Sequence, residues 1–145
     1  MPDLTLDQAQ KIAAAALAFG REKKLMVLTV AVLDARGALK SFAAEDGTSL
    51  KRGEIAIGKA SAALALGLGT RSINKMAVAR PYFIGSVSHS VGGPFVPVPG
   101  GVLIKDGGGA LVGAVGVSGD VSDNDEAAAV AGIKAAGLVA DPGSD

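Results

Sequence analysis

Apolar and polar positions recur with two different periods along this chain, and the changes of period divide it into elements. Thr5-x-x-Gln8 has the form of a helix capping box, and Ala9, Ile12, Ala13, Ala16, Leu17 and Gly20 follow at i, i+3, i+4, i+7, i+8 and i+11. The spacing predicts a helix over about Leu6–Lys23, with Arg21, Lys23 and Lys24 at its negative dipole end. Met26–Leu33 then reads as a strand. Asp34-Ala-Arg-Gly37 has the residues of a turn, and Ala38–Ala44 returns as a second strand that Glu45-Asp46-Gly47 closes. From Leu50 to Leu66 the helical period resumes: Ile55, Ala56, Lys59, Ala60, Ala63, Leu64 and Gly67 form a mostly apolar stripe that Lys59 interrupts. Gly69 breaks this helix, Thr70 caps a short one over Arg71–Val78, and Pro81 forbids its continuation.

Between Tyr82 and Val98 neither period holds. Ser86, Ser88, His89, Ser90, Gly92, Gly93 and the prolines up to Pro99 predict a long irregular loop of the functional kind. Phe83, Ile84, Val87, Val91, Phe95 and Val96 argue against disorder there. Val102–Ile104 and Ala110–Val117 flank the turn Asp106–Gly109 and predict a hairpin. Every position of Leu111–Val117 is apolar or glycine, which places that strand centrally with both faces covered. Gly113, Gly116 and Gly119 mark close approach of a helix or ligand to the backbone. A last helix is predicted over about Asp123–Val139, with Asp123, Asp125 and Glu126 in its first turn and Ser122-x-x-Asp125 as a weak capping signal. The tail Pro142–Asp145 is expected to fray. Strands grouped in hairpins predict an antiparallel sheet with helices packed on it, an α+β fold in a single domain over residues 1–145.

Composition narrows the functional classes. Lys+Arg 14 against Asp+Glu 14 gives no global field for nucleic acid or an acidic membrane, so neither is expected as a partner. Cys 0 excludes disulfides and thiolate chemistry. The opening residues lack a basic segment followed by an apolar run, so no signal peptide and a cytoplasmic location are expected. Aromatics are 3% and Gly is 21, so each residue buries limited area and self-association is expected.

Six motifs then stand in order: Asp34-x-x-Gly37, Asp46-Gly47, Ile55-Ala56-x-x-Lys59-Ala60, Pro99-Gly100-Gly101, Gly113-Ala-Val-Gly116-Val-Ser118-Gly119 and Asp125-Glu126-x-x-Ala129. Each is weak alone, but the ordered set spans nearly the whole chain and resembles the GlcG/HbpS-like heme-binding proteins, a family that includes the C-terminal domain of PduO-type proteins. The resemblance implies a five-stranded antiparallel sheet flanked by helices in profilin-like layers, assembled into dimers and often octamers. It also implies binding of heme or a related tetrapyrrole in some members, many of them encoded beside catabolic enzymes for small organic or aromatic acids. This chain departs from the family at one point: where an arginine commonly precedes the Asp-Gly motif, it has Ala43-Ala44-Glu45.

His89 is the only histidine, which with Cys 0 sets aside a zinc site of ordinary type. A heme needs one axial donor, and His89, Met76, Met26 and Tyr82 are chemically able to serve, while the simpler reading of His89 is an ordinary solvent-facing loop histidine. Gly92-Gly93 and Gly100-Gly101 could offer backbone N–H groups to an anion or simply make turns. Without a Walker sequence or a dinucleotide fingerprint, NAD and ATP are discounted. Ser118 lacks the context of a nucleophile elbow. Lys59, on a buried stripe, needs a partner, which Asp46 is expected to provide. The expected function is an oligomeric binding protein for heme or a related tetrapyrrole. Its expected ligand residues are Lys59, Tyr82, His89, Gly100 and Gly101, with His89 on the iron, in a pocket walled by the 82–101 segment and the Lys59 helix. The alternatives are a cofactor-independent enzyme transferring protons on a small acid through Asp46, Lys59 and His89, or a structural accessory protein of a catabolic pathway.

Overall fold

The computed structural model describes residues 3–145. In chain order the elements are α1 (Leu6–Glu22), β1 (Thr29–Asp34), β2 (Leu39–Ala44), α2 (Arg52–Leu66), α3 (Thr70–Ala79), α4 (Pro81–Val91), β3 (Gly101–Lys105), β4 (Leu111–Ser118), α5 (Ser122–Ala135) and β5 (Val139–Asp141). All strand pairings are antiparallel, in one sheet ordered β2-β1-β4-β3-β5, so the apolar strand β4 is central as its sequence requires.

The two faces of the sheet are paved differently, and this decides which helix lies on each. Val30, Val32, Val102, Ile104, Val115 and Val117 point to one side, where Ile12, Ala16, Ala129 and Ile133 of α1 and α5 complete the main core. Leu33, Leu103 and Ala114 point to the other, against Ala60 and Ala63 of α2. Small residues on that second face let α2 descend onto the sheet. A side chain at Gly116 would run into the Ala56 carbonyl, and one at Gly101 into the Lys59 carbonyl. The close approach expected at the β4 glycines is therefore met by a helix at Gly116. At Gly113 it is met by the neighbouring strand, at Leu33 O, and at Gly119 by Val27 O.

The capping box at Thr5 forms as expected: Thr5 Oγ1 accepts from Gln8 N at 3.1 Å, and Gln8 Oε1 accepts from Thr5 N at 3.0 Å. Four other expectations are corrected. Residues 82–91, expected as loop, are helix α4: α3 ends at Ala79, before Pro81 as expected, but Pro81 also starts a new helix, occupying its first turn where a missing N–H costs nothing. The last helix ends at Ala135 rather than near Val139. Gly137 takes a left-handed φ of 76°, and the chain turns into β5 beside β3. Thr70 is not a cap but the first residue of α3. Its buried hydroxyl accepts from Gly101 N at 2.8 Å and donates to Gly101 O at 3.1 Å, fixing α3 to β3. The tail does not fray onto solvent, because Arg71 N donates to Pro142 O and Ser144 N donates to Ser72 Oγ at 2.9 Å.

Candidate functional site

Polar chemistry concentrates at the end of the sheet where β4 finishes and α5 begins. Lys59, in the middle of the α2 stripe, is 3% exposed. Its ammonium donates to Val117 O at 2.9 Å and to Asp125 Oδ2 at 3.0 Å. The partner expected for it, Asp46, lies instead in the exposed turn after β2. Asp125 is itself 1% exposed, and its other oxygen accepts from Asp120 N at 2.9 Å. It is thus a buried counter-ion that joins α5 to α2, and not only a first-turn charge. Burial pulls Lys59 below the usual lysine range and pushes Asp125 above the usual carboxylate range, and the attraction between the two only partly offsets this. Arg52, at the start of α2, extends the cluster by donating to Ser118 Oγ at 3.1 Å.

Gly100 and Gly101 are buried directly beneath this ion pair. A side chain at Gly100 would meet Lys59 Nζ at 2.8 Å, while Gly100 O accepts from Val117 N at 3.0 Å and Gly101 N is taken by Thr70. Gly100 is thereby bonded to β4 and Gly101 to α3. Lys59, Gly100 and Gly101 are thus packed together where α2, α3 and the β3–β4 pair meet. Glu126, the neighbour of Asp125, likewise binds Arg71, whose guanidinium also meets Asp123 and Asp145 and is held far above its usual pKa by these hydrogen bonds.

Tyr82 and His89 belong to a different surface. Both are on α4, seven residues apart, or about 10.5 Å along the axis. Tyr82, Gly85, Ser86 and His89 are all exposed, so this helix turns one face outward, while Ile84 is buried on the other against Ala62 and Ile73. Nothing lies within 4 Å of where a side chain at Gly85 would sit. Of the other heme-donor candidates, Met76 packs into the α3/α4 cluster and Met26 is 67% exposed at the far loop before β1. A groove of about 280 Å³ does lie between α2 and the segment that follows α4, lined by Glu54, Ile57, Pro94, Phe95 and Val96. Lys59 is not part of it. Among the described residues no group of three or more His, Cys, Asp or Glu could hold a metal ion, and no helix is long and apolar enough to cross a membrane.

The sheet with α1 and α5 on one face and α2 pinned to the other defines a three-layer α+β domain. The chain belongs to the HbpS-like family: the family model described as haem degrading protein HbpS-like matches residues 4–134. Solved structures agree on the fold. The chain is similar to the PduOC:heme complex (22% identical, TM-score 0.83, covering 94% of this chain and 97% of that one). It is also similar to HbpS (28% identical, TM-score 0.78, covering 92% and 90%). A third similar structure is the Klebsiella pneumoniae protein ORFY of family DUF336 (23% identical, TM-score 0.81, covering 94% and 93%). Among curated proteins none matches the sequence significantly.

Proposed function

We propose that this protein binds heme or a related tetrapyrrole on the outer face of α4, with His89 as the iron ligand. The observation that carries this reading is the face itself: Tyr82, Gly85 and His89 at i, i+3 and i+7, all exposed, with an imidazole that no hydrogen bond engages among the described residues. The bare backbone at Gly85 leaves room for a planar ring between the phenol and the imidazole. The family's description and the similar structure solved with heme support the ligand class. When bound, the iron would supply redox and oxygen chemistry, and the chain's part is to hold the ring and present one nitrogen donor. Arg80, the residue immediately before α4 and stacked on the Phe83 ring at 4.4 Å, is a cation placed to meet a propionate. The proton-transfer reading gains nothing from the geometry, because the Lys59 ammonium bonds to Asp125 and Val117 O, and Asp46 and His89 share no bond with it.

A tetrapyrrole needs apolar cover on both faces, and α4 offers one wall. Val78 and Tyr82, 77% and 79% exposed, await a second. A second copy of the chain is the proposed cover, so the protein is expected to be a homodimer at least, with an octamer the larger assembly that the family resemblance implies. Light scattering at micromolar concentration should give a mass of two chains or more, and a monomer alone would remove this cover from the proposal. Heme titration followed by absorption tests the ligand. His89→Ala should shift or abolish the Soret band and weaken heme binding about tenfold or more, roughly 1.4 kcal/mol. An unchanged spectrum at unchanged affinity would take His89 off the iron.

A further inference from the structure

A second cavity, of about 180 Å³, opens at the opposite side of the polar cluster. It lies between Met26-Val27, the Gly47–Ser49 turn, Gly119 and Arg52. Ligand pockets usually run from about 300 to 1,000 Å³, so this one suits a molecule of a few heavy atoms and not a tetrapyrrole.

Its charge is unbalanced. Arg21, Arg36 and Arg71 each pair with a carboxylate, and Arg80 lies exposed over a phenyl ring. Arg52 is half-buried and has no carboxylate partner among the described residues. One nitrogen, Nη1, donates to Ser118 Oγ, and the planar edge formed by Nε and Nη2 is left open. The positive charge of Arg52 also bears on Lys59, whose own charge Asp125 already balances, so the surplus belongs to Arg52. The N-terminus of α2 adds to it, since no side chain caps that end.

The polar satisfaction of this corner is incomplete as well. The β1–β4 register sets Thr29 opposite Ser118, so the two side chains leave the sheet on the same face, the one Arg52 lies over. Both are 0% exposed, yet Thr29 Oγ1 has no hydrogen-bond partner. A buried hydroxyl without a partner is rare in a finished structure. The Thr29 hydroxyl lies behind Ser118 and does not line the cavity, but Arg52 does, and its guanidinium, with no carboxylate partner and an open edge, points to a missing group, an anion with oxygen atoms.

We infer that this cavity binds a small monocarboxylate, its two oxygens on the open edge of Arg52. The fork of two parallel N–H groups matches a planar carboxylate. The surrounding acids disfavour a doubly charged guest. Glu45 is nearby, held by Arg21 and by Leu28 N at 2.7 Å, Asp120 is fixed by Met26 N at 2.8 Å, and Asp46 stands in the adjoining turn. Thr48 and Ser49 bring hydroxyls to the same cavity, which favours an acid carrying a hydroxyl or keto oxygen beside its carboxyl group over a plain alkyl acid. The site is separate from the α4 face and independent of heme.

Calorimetric titration of the full chain with sodium lactate, sodium acetate and inorganic phosphate at fixed ionic strength tests the inference. Lactate should bind, more tightly than acetate and more tightly than phosphate. Arg52→Gln should weaken lactate at least tenfold, and Arg52→Lys, which keeps the charge and loses the fork, should lose most of that factor too. Circular dichroism checks folding, and the lysine variant keeps the test valid if the glutamine variant unfolds. Both variants should retain wild-type heme titration curves, so failure here leaves the α4 reading untouched. Absence of lactate binding at 10 mM ligand (about 2.7 kcal/mol of affinity), phosphate binding more tightly than lactate, or equal lactate affinity in all three proteins would each overturn the assignment.

Discussion

Asp125→Ala is expected to destabilise the protein by about 3–5 kcal/mol at pH 7, the largest effect of any single charge removal in this chain. Lys59 is 3% exposed and its ammonium has two acceptors; the variant leaves it with Val117 O alone. The loss is capped, because the lysine can shed its proton instead. Taking an amine of ordinary pKa 10.5 to its neutral form at pH 7 costs about 5 kcal/mol. That cap sets the pH dependence. Lys59 lies below its ordinary value in the folded state, so the folded chain releases this proton before the unfolded chain does. Stability from this group therefore rises with pH in the interval between the folded value and 10.5. The cost of Asp125→Ala should accordingly shrink by up to about 2.7 kcal/mol between pH 7 and pH 9. Urea unfolding of both proteins at the two pH values reads it directly. Because burial penalises both charges, Lys59→Met with Asp125→Leu should recover most of the loss and return to within about 2 kcal/mol of wild type, even though Asp120 N then loses its acceptor. A cost below 1 kcal/mol for Asp125→Ala would show that water reaches Lys59.

The sequence showed that Lys59 is buried and charged, and hence that it needs a counter-ion, but not which one. Asp46 is near in sequence and Asp125 is 66 residues away, and only the placement of α5 across the end of β4 brings the second one in. The signal present was Asp125's position in a first turn, where a dipole explanation was sufficient by itself. Arg52 escaped notice for a related reason. Arginine at the start of a helix reads as a solvated charge, and its lack of a partner is a property of the folded neighbourhood. Thr29 inside an apolar strand is unremarkable in sequence for the same reason.

Periodicity fared well where one face was continuous and poorly where small residues removed the contrast. α1 was legible because its stripe and capping box agree, and β4 was legible as central because no position in it tolerates water. α4 was not. Gly85, Ser86, Ser88 and Ser90 have weak helix propensity, and the helix forms because Ile84 packs against α2 and α3 with Phe83 and Phe95 beside it. β5 is only three residues long, and its pairing with β3 could not be read from a pattern of that length; the fifth strand was implied by the family resemblance alone. Tyr82 and His89 were legible as chemically able residues, but their shared exposure on one helix face required α4 to be a helix.

Gly116→Ala should cost about 3 kcal/mol or more, a large price for one methyl group, because the methyl has backbone and not side chains in its way. At this position a Cβ would meet the Ala56 carbonyl oxygen at contact closer than any real one, its carbon at 2.8 Å, and Ala60 N at 3.0 Å. Side chains can rotate aside, but the Ala56 carbonyl belongs to the hydrogen-bonded ladder of α2, so the whole helix must lift from the sheet. Lifting α2 also loosens the packing of Ala60 and Ala63 on Leu33, Leu103 and Ala114, and draws Lys59 away from Asp125. Overpacking of an ordinary core site costs about 1–3 kcal/mol, and the coupling of these contacts puts Gly116 at or above the top of that range. Gly85→Ala is the matched control. Its methyl meets nothing within 4 Å and sits mid-helix in α4, so it should stabilise the fold by about 0.5–1 kcal/mol. Chemical denaturation of the two variants should thus move the midpoint in opposite directions. Equal midpoints would mean that α2 is not seated on β4 as closely as the Gly116 contact requires.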